Sequence, residues 1–102
     1  MSNIVAIVKA KIKNNKHDDL RKIANILQYE YAVDEKGCEQ YESFIDGDTF
    51  ITIERWSSQD LLDLHLEAEH VKKYVPKLRE CVVDETFDVQ FIKSDDISFL
   101  KI

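Results

Sequence analysis

From residue 3 to 13 the chain reads NIVAIVKAKIK. Ile4, Ala6, Val8, Ala10 and Ile12 fall on one side of a two-residue period, and Lys9, Lys11 and Lys13 fall on the other. That alternation predicts a strand with one buried face. NNKHDD then turns the chain, with Asp18 and Asp19 suited to the positive end of a helix. Leu20, Ile23, Ala24, Leu27 and Tyr31 recur at helical spacing and predict an amphipathic helix over about 17–33.

DEKG reads as a turn with Gly37 in its left-handed position. CEQYESFI and TFITIERW are two strands joined through DGD, a tight hairpin around Gly47. Ser57 is placed to cap the next helix, with Asp60 three residues on as in a capping box. Leu61, Leu64, His65 and Ala68 then share a face. A further short helix is expected from near His70, with Val71, Tyr74, Val75 and Leu78 inward. Pro76 must lie in its first turns or kink it, because it has no N–H to give. TFDVQFIK is a fourth strand, and residues 94–102 form a tail with strand character.

The order β-α-β-β-α-β is that of the ferredoxin-like α+β fold, a four-stranded antiparallel sheet with helices on one face. Phe50 and Trp56 share one side of their strand while Ile51 and Ile53 share the other. Helices cover only one of these apolar faces. A homodimer, sheet against sheet, with the tail around 97–100 crossing to the partner, is the expected way to cover the second.

Composition narrows the function more than the fold. At 102 residues the chain is expected to be one domain, 1–102. A net charge of −6 opposes sequence-independent binding to nucleic acid or anionic lipid. The lysines of KAKIKNNK read as the wet side of a strand rather than as a basic patch. No stretch reaches the ~20 apolar residues of a membrane span, and no leader pattern opens the chain, so a cytoplasmic protein is expected. Cys38 and Cys81 are too few for a disulfide framework or a zinc site and are expected to be free thiols.

Chemistry-bearing residues gather in IERWSSQDLLDLHLEAEH, 53–70. His65 lies on an apolar helix face, either bonded to a backbone carbonyl as a structural group or serving as a general base. His70, five residues on, points elsewhere on a continuous helix, but a break between the two would let both enter one pocket. The HExxH spacing is absent and His65 with Glu69 is a single weak pair, so no metal is expected. Trp56 either caps the core or walls a pocket. Glu54, on the same strand face, would need a partner such as a helix N-terminus if buried. Tyr41 and Tyr74 are candidate pocket hydroxyls.

IVAIVKAKIK, GCEQYE and above all IERWSSQDLLDLHLEAEHVKKY resemble the antibiotic biosynthesis monooxygenase (ABM) domain family, which includes quinol monooxygenases. Glu54, Trp56, Leu61, His65 and His70 fall where the family's E-x-W, L-x-x-H and later H are expected. The resemblance implies a dimeric ferredoxin-like protein that oxygenates an electron-rich phenol, a quinol or anthrone, using O2 with no metal, haem or flavin. Catalysis would fall to Trp56, His65 and His70, with Glu54, Tyr41 and Tyr74 contacting substrate. The haem-degrading branch is disfavoured, since its Asn, Trp and His positions hold Val8, His65 and Val75. Two alternatives remain at this level. One is an isomerase acting on a phosphorylated autoinducer, with Lys72, Lys73 or Arg55 on the phosphate. The other is a non-catalytic dimeric binding protein.

Overall fold

The computed structural model describes residues 3–101. Four strands, β1 (Asn3–Lys11), β2 (Cys38–Asp46), β3 (Thr49–Trp56) and β4 (Asp88–Ser94), form one antiparallel sheet in the order β2-β3-β1-β4. Helices α1 (His17–Asn25), α2 (Gln59–Leu66) and α3 (Glu69–Arg79) complete the ferredoxin-like α+β fold. Among the described residues no helix is long and apolar enough to cross a membrane.

The alternation read from β1 and β3 is what the sheet uses. Ile4, Ala6, Ala10, Phe50 and Trp56 are buried beneath the helices, and Leu20, Leu27, Leu78 and Val82 close over them. On the opposite face Val5, Ile7, Ile51 and Ile53 are only half-buried, and Phe44 and Ile92 are exposed. The sheet therefore offers a broad apolar surface that nothing among the described residues covers except at one corner, where Phe99 lies 5.0 Å beneath the Arg55 guanidinium.

Several elements differ from expectation, each for a local reason. The helix expected over 17–33 is α-helical only to Asn25. Ile26–Tyr31 winds as a π-helix, with the Ala32 N–H reaching back five residues to the Leu27 carbonyl, and Ala32–Asp34 tightens to a 3₁₀ turn. The wider turn buries Ala32 rather than Tyr31. Ser58, not Ser57, caps α2, its Oγ accepting from the Leu61 N–H at 3.2 Å, so Asp60 is a first-turn residue and no capping box forms. Leu62 joins His65 in the interior, and Leu64 is 66% exposed. Pro76 lies well inside α3, where it forfeits the bond its N–H would make toward Lys72. The tail runs on without regular structure from 95 to 101, and Ile102 lies outside the described residues.

Gly37 holds φ at +85°, as its turn requires, and the hairpin Gly47 holds +59°. Gly37 is also packed. A Cβ built there would stand 2.5 Å from Leu61 Cδ1 and 2.6 Å from Leu61 Cβ, so the turn before β2 lies directly on α2. The Ser57 N–H, donating to the Gly37 carbonyl at 2.9 Å, ties the same turn to the end of β3.

Candidate functional site

That turn carries Glu35, and the close seat of Gly37 brings its carboxylate to the helices. Both carboxylate oxygens lie 2.9–3.0 Å from His65 Nδ1, and Oε1 is also 3.0 Å from His70 Nε2. An ionised carboxylate only accepts, so each of these ring nitrogens carries the proton it donates. No described residue bonds the other His65 nitrogen, Nε2. The two imidazoles approach, with centroids 5.8 Å apart, because α2 stops at Leu66 and α3 starts at Glu69, with Ala68 as its extended N-cap. The break between the histidines is therefore real.

Aromatic neighbours fix both rings. Trp56 lies 4.3 Å from His65 between centroids, and Tyr31, delivered by the π-helical stretch, stacks on His70 at 4.5 Å and 6°. Trp56 is itself fully buried, its indole N–H donating to Glu54 Oε1 at 3.0 Å, while the Thr52 hydroxyl donates to Oε2 at 3.1 Å. Glu54 thus finds its partners on its own strand, not at a helix N-terminus, and His65 is held by a carboxylate, not a backbone carbonyl. Burial raises the Glu54 carboxyl above the usual glutamate range, opposed by the Trp56 bond and the nearby His65. Burial also pushes the Tyr41 phenol up, and it brings the Cys38 thiol to about 11, with the Glu54 and Glu35 charges adding to both.

Between the sheet and α2–α3 lies a cavity of about 300 Å³. Its walls are mostly apolar, among them Leu62, Phe87 and Phe91, and Tyr41, Thr52, Glu54 and His65 supply polar groups. Val8 and Val75, the positions compared above with the Asn and His of haem-degrading relatives, are two of its apolar walls. Val89 and Phe91 are 46% and 52% exposed, because β4 is the sheet edge that the helices leave uncovered.

Of the residues singled out from sequence, Tyr41, Glu54 and His65 line this cavity. Trp56 stands behind them, and His70 is reached through Glu35. Tyr74 sits further out, 5.8 Å from Tyr31, with Lys73 and Lys77 over its ring at 5.0 and 5.5 Å. Arg55 is on the opposite sheet face, bonded to Glu39 at 3.0 Å, and Lys72 pairs with exposed Glu67 at 3.2 Å. Sequence reading missed Glu35, Tyr31 and Thr52. Only Glu35 left a trace, as one of the two carboxylates, with Asp34, in the turn before β2.

No curated sequence matches the chain. Solved structures do. A conserved protein from Methanosarcina mazei Go1 is 24% identical, with a TM-score of 0.82 over 90% of this chain and 92% of its own. A Mycobacterium tuberculosis protein is 20% identical, with a TM-score of 0.86 over 96% and 100%. A structure named as an antibiotic biosynthesis monooxygenase is 24% identical, with a TM-score of 0.76 over 93% and 99%. At these identities the likeness is one of fold. The family model described as antibiotic biosynthesis monooxygenase matches residues 3–77, which takes in β1 through most of α3 and so Glu35, Glu54, Trp56, His65 and His70. The chain belongs to the antibiotic biosynthesis monooxygenase family.

Proposed function

We propose that the protein is a cofactor-independent monooxygenase that oxidises an electron-rich phenolic small molecule, quinol- or anthrone-like, with O2. The observation that carries this reading is the His65 ring. Glu35 engages its Nδ1, which leaves Nε2 as the ring nitrogen free of Glu35 on a residue that lines an apolar cavity of about 300 Å³. That volume is at the lower end of small-molecule pockets and suits a compact ring system.

In this reading Nε2 takes the proton that makes the bound ring an electron-rich anion. The anion passes one electron to O2, and the resulting carbon radical and superoxide join through a new C–O bond. The imidazolium returns its proton to the peroxide. Loss of water across the O–O bond then leaves a carbonyl, so a ring CH2 plus O2 becomes C=O plus H2O. The apolar walls keep water from the anion, and Glu54, whose carboxyl is held by burial above the usual glutamate range, lines the same cavity. Trp56 holds Glu54 and the flat side of His65 rather than touching substrate.

The working unit in this proposal is a homodimer with the open sheet faces together. The half-buried Val5, Ile7, Ile51 and Ile53 support it, as does the exposure of Phe44 and Ile92 on the same face. Sedimentation at micromolar protein should give a dimer, and a compact monomer would remove this part of the proposal. A phosphorylated substrate and an isomerisation remain a second reading because Arg79 lines the cavity, although Arg55 is on the wrong face of the sheet to help.

Oxygen uptake with a panel of quinols and anthrones, in the presence of chelator, tests the main reading. His65→Ala should lower turnover by about 10²- to 10⁴-fold, the usual worth of a positioned base. Uptake no faster than in protein-free buffer across the panel would end the oxygenase reading.

A further inference from the structure

Two imidazole nitrogens and one carboxylate, drawn from three separate segments, point their ligating atoms at one another. One ligating atom each from Glu35, His65 and His70 lies within 4.8 Å of the other two, and His65 Nδ1 and His70 Nε2 are each 2.9–3.0 Å from a Glu35 oxygen. Ligands on adjacent positions of an ion with bonds of ~2.0–2.1 Å stand ~3.0–3.4 Å apart. Within the cluster the two histidine-to-carboxylate distances already match that spacing, and the two nitrogens lie within 4.8 Å of each other. Its side chains are 9–15% exposed, which shelters the site yet leaves it a path to solvent. Both rings are already fixed in plane, His65 by Trp56 and His70 by the parallel Tyr31 ring. Preorganisation of this kind, before any ion arrives, is what a metal site needs from its supporting shell.

We infer that Glu35, His65 and His70 form a binding site for one divalent transition-metal ion of the zinc class. The donor set is borderline in character, so it selects Zn²⁺, Co²⁺ or Fe²⁺ over the oxygen-seeking Mg²⁺ and Ca²⁺. Three protein ligands leave at least one coordination position for water or a small ligand. Binding needs no net proton loss from a neutral imidazole. When the ion takes Nδ1, the His65 proton moves to Nε2, and likewise the His70 proton moves to Nδ1. This inference goes beyond the oxygenation reading, which requires no ion. The sequence reading expected none because it saw two histidines at a spacing of five and lacked Glu35.

The test is titration calorimetry of the full chain with Zn²⁺, together with the visible absorption of added Co²⁺ as a report on coordination. The site predicts one ion per chain in the wild type and in the controls Cys38→Ser and His17→Gln, which remove one of the two free thiols and the exposed His17–Asp48 pair. Glu35→Gln, nearly isosteric, and His70→Gln should each weaken binding by at least about 100-fold, the upper end of what even an outer-shell partner is worth. Near-UV circular dichroism of buried Trp56 establishes that each variant is folded, and Glu35→Gln decides the matter alone if His70→Gln is not. Absence of saturable binding in the wild type overturns the inference. Binding that survives Glu35→Gln, or that disappears in Cys38→Ser or His17→Gln, also overturns it.

Discussion

Replacing Gly37 by Ala tests how the site is held together. Two costs arise at this residue, and the structure separates them. A residue with a Cβ at φ +85° pays about 1–2 kcal/mol for a left-handed conformation. The new methyl also stands 2.5 Å from Leu61 Cδ1 and 2.6 Å from Leu61 Cβ. The second of these atoms is bonded to the helix backbone and cannot rotate away, so the turn itself must move off α2. Overpacking of this kind costs about 1–3 kcal/mol. The sum, about 2–5 kcal/mol, is a large part of the ~5–15 kcal/mol that holds a typical domain together. Gly47 provides the internal control, because it too is left-handed at +59° but a methyl added there would meet nothing within 4 Å. Gly47→Ala should therefore cost only the conformational part. Urea unfolding of both variants measures the two sums, and their difference isolates the packing between the turn and α2. Glu35 is two residues from the clash, so Gly37→Ala should also weaken metal binding and turnover under conditions where the variant is still folded. A displacement of about 1 Å is enough to cost ~10²-fold in a positioned site. If Gly37→Ala and Gly47→Ala destabilise equally, or if Gly37→Ala leaves the site unaffected, the turn is not what places Glu35.

Other expectations follow from the same geometry. Glu54 has a folded pKa raised above its usual 4.5, so the native state keeps a proton that the unfolded chain has lost between the two values, and stability falls as pH rises through that window. Glu54→Gln does not titrate and can still accept from Trp56. Its stability relative to wild type should be lowest below the ordinary carboxyl range and climb as pH rises, and a difference independent of pH would show that Glu54 carries no such burden. Cys38, its pKa pushed up to about 11 by burial and by Glu54 and Glu35, should resist iodoacetamide at neutral pH in the folded protein and react promptly once unfolded. Ser58→Ala should cost about 1 kcal/mol, read from the urea midpoint, while Ser57→Ala should cost little, since only Ser58 accepts from Leu61. If both inferences about His65 hold, Zn²⁺ should slow oxygen uptake and chelator should restore it, because an ion on Nδ1 leaves Nε2 protonated. Stimulation by Zn²⁺ would refute the role of Nε2 as base.

The period-two alternation of β1 and β3 made the sheet legible, since a strand with one buried face has only one way to sort Ile4, Ala6 and Phe50 from Lys9 and Lys11. Helix faces were less secure, because apolar residues stand on more than one side of each helix. In α2 the leucines at 61, 62, 64 and 66 flank His65 on both sides, and packing puts Leu62 in the core while Leu64 is exposed. In the first helix, Tyr31 and Ala32 are both apolar enough to follow Leu27. The spacing of four to Tyr31 is the regular helical one, and packing selects instead the π-turn that buries Ala32 and frees Tyr31 to meet His70. His65 and His70 drew notice by residue type alone, but the group that joins them did not. Glu35 is one of 20 acidic residues and sits in a stretch that reads as an ordinary turn. Its importance is a matter of register. The hairpin through Gly47 sets Asp46 against Thr49, and following that ladder along the two strands brings Cys38 opposite Trp56 once one bulge near Gln40 is allowed. Pairing of those strands therefore carries the turn before Cys38 to the corner after Trp56, where α2 begins. In that turn it is Glu35 that faces the polar group α2 buries, His65.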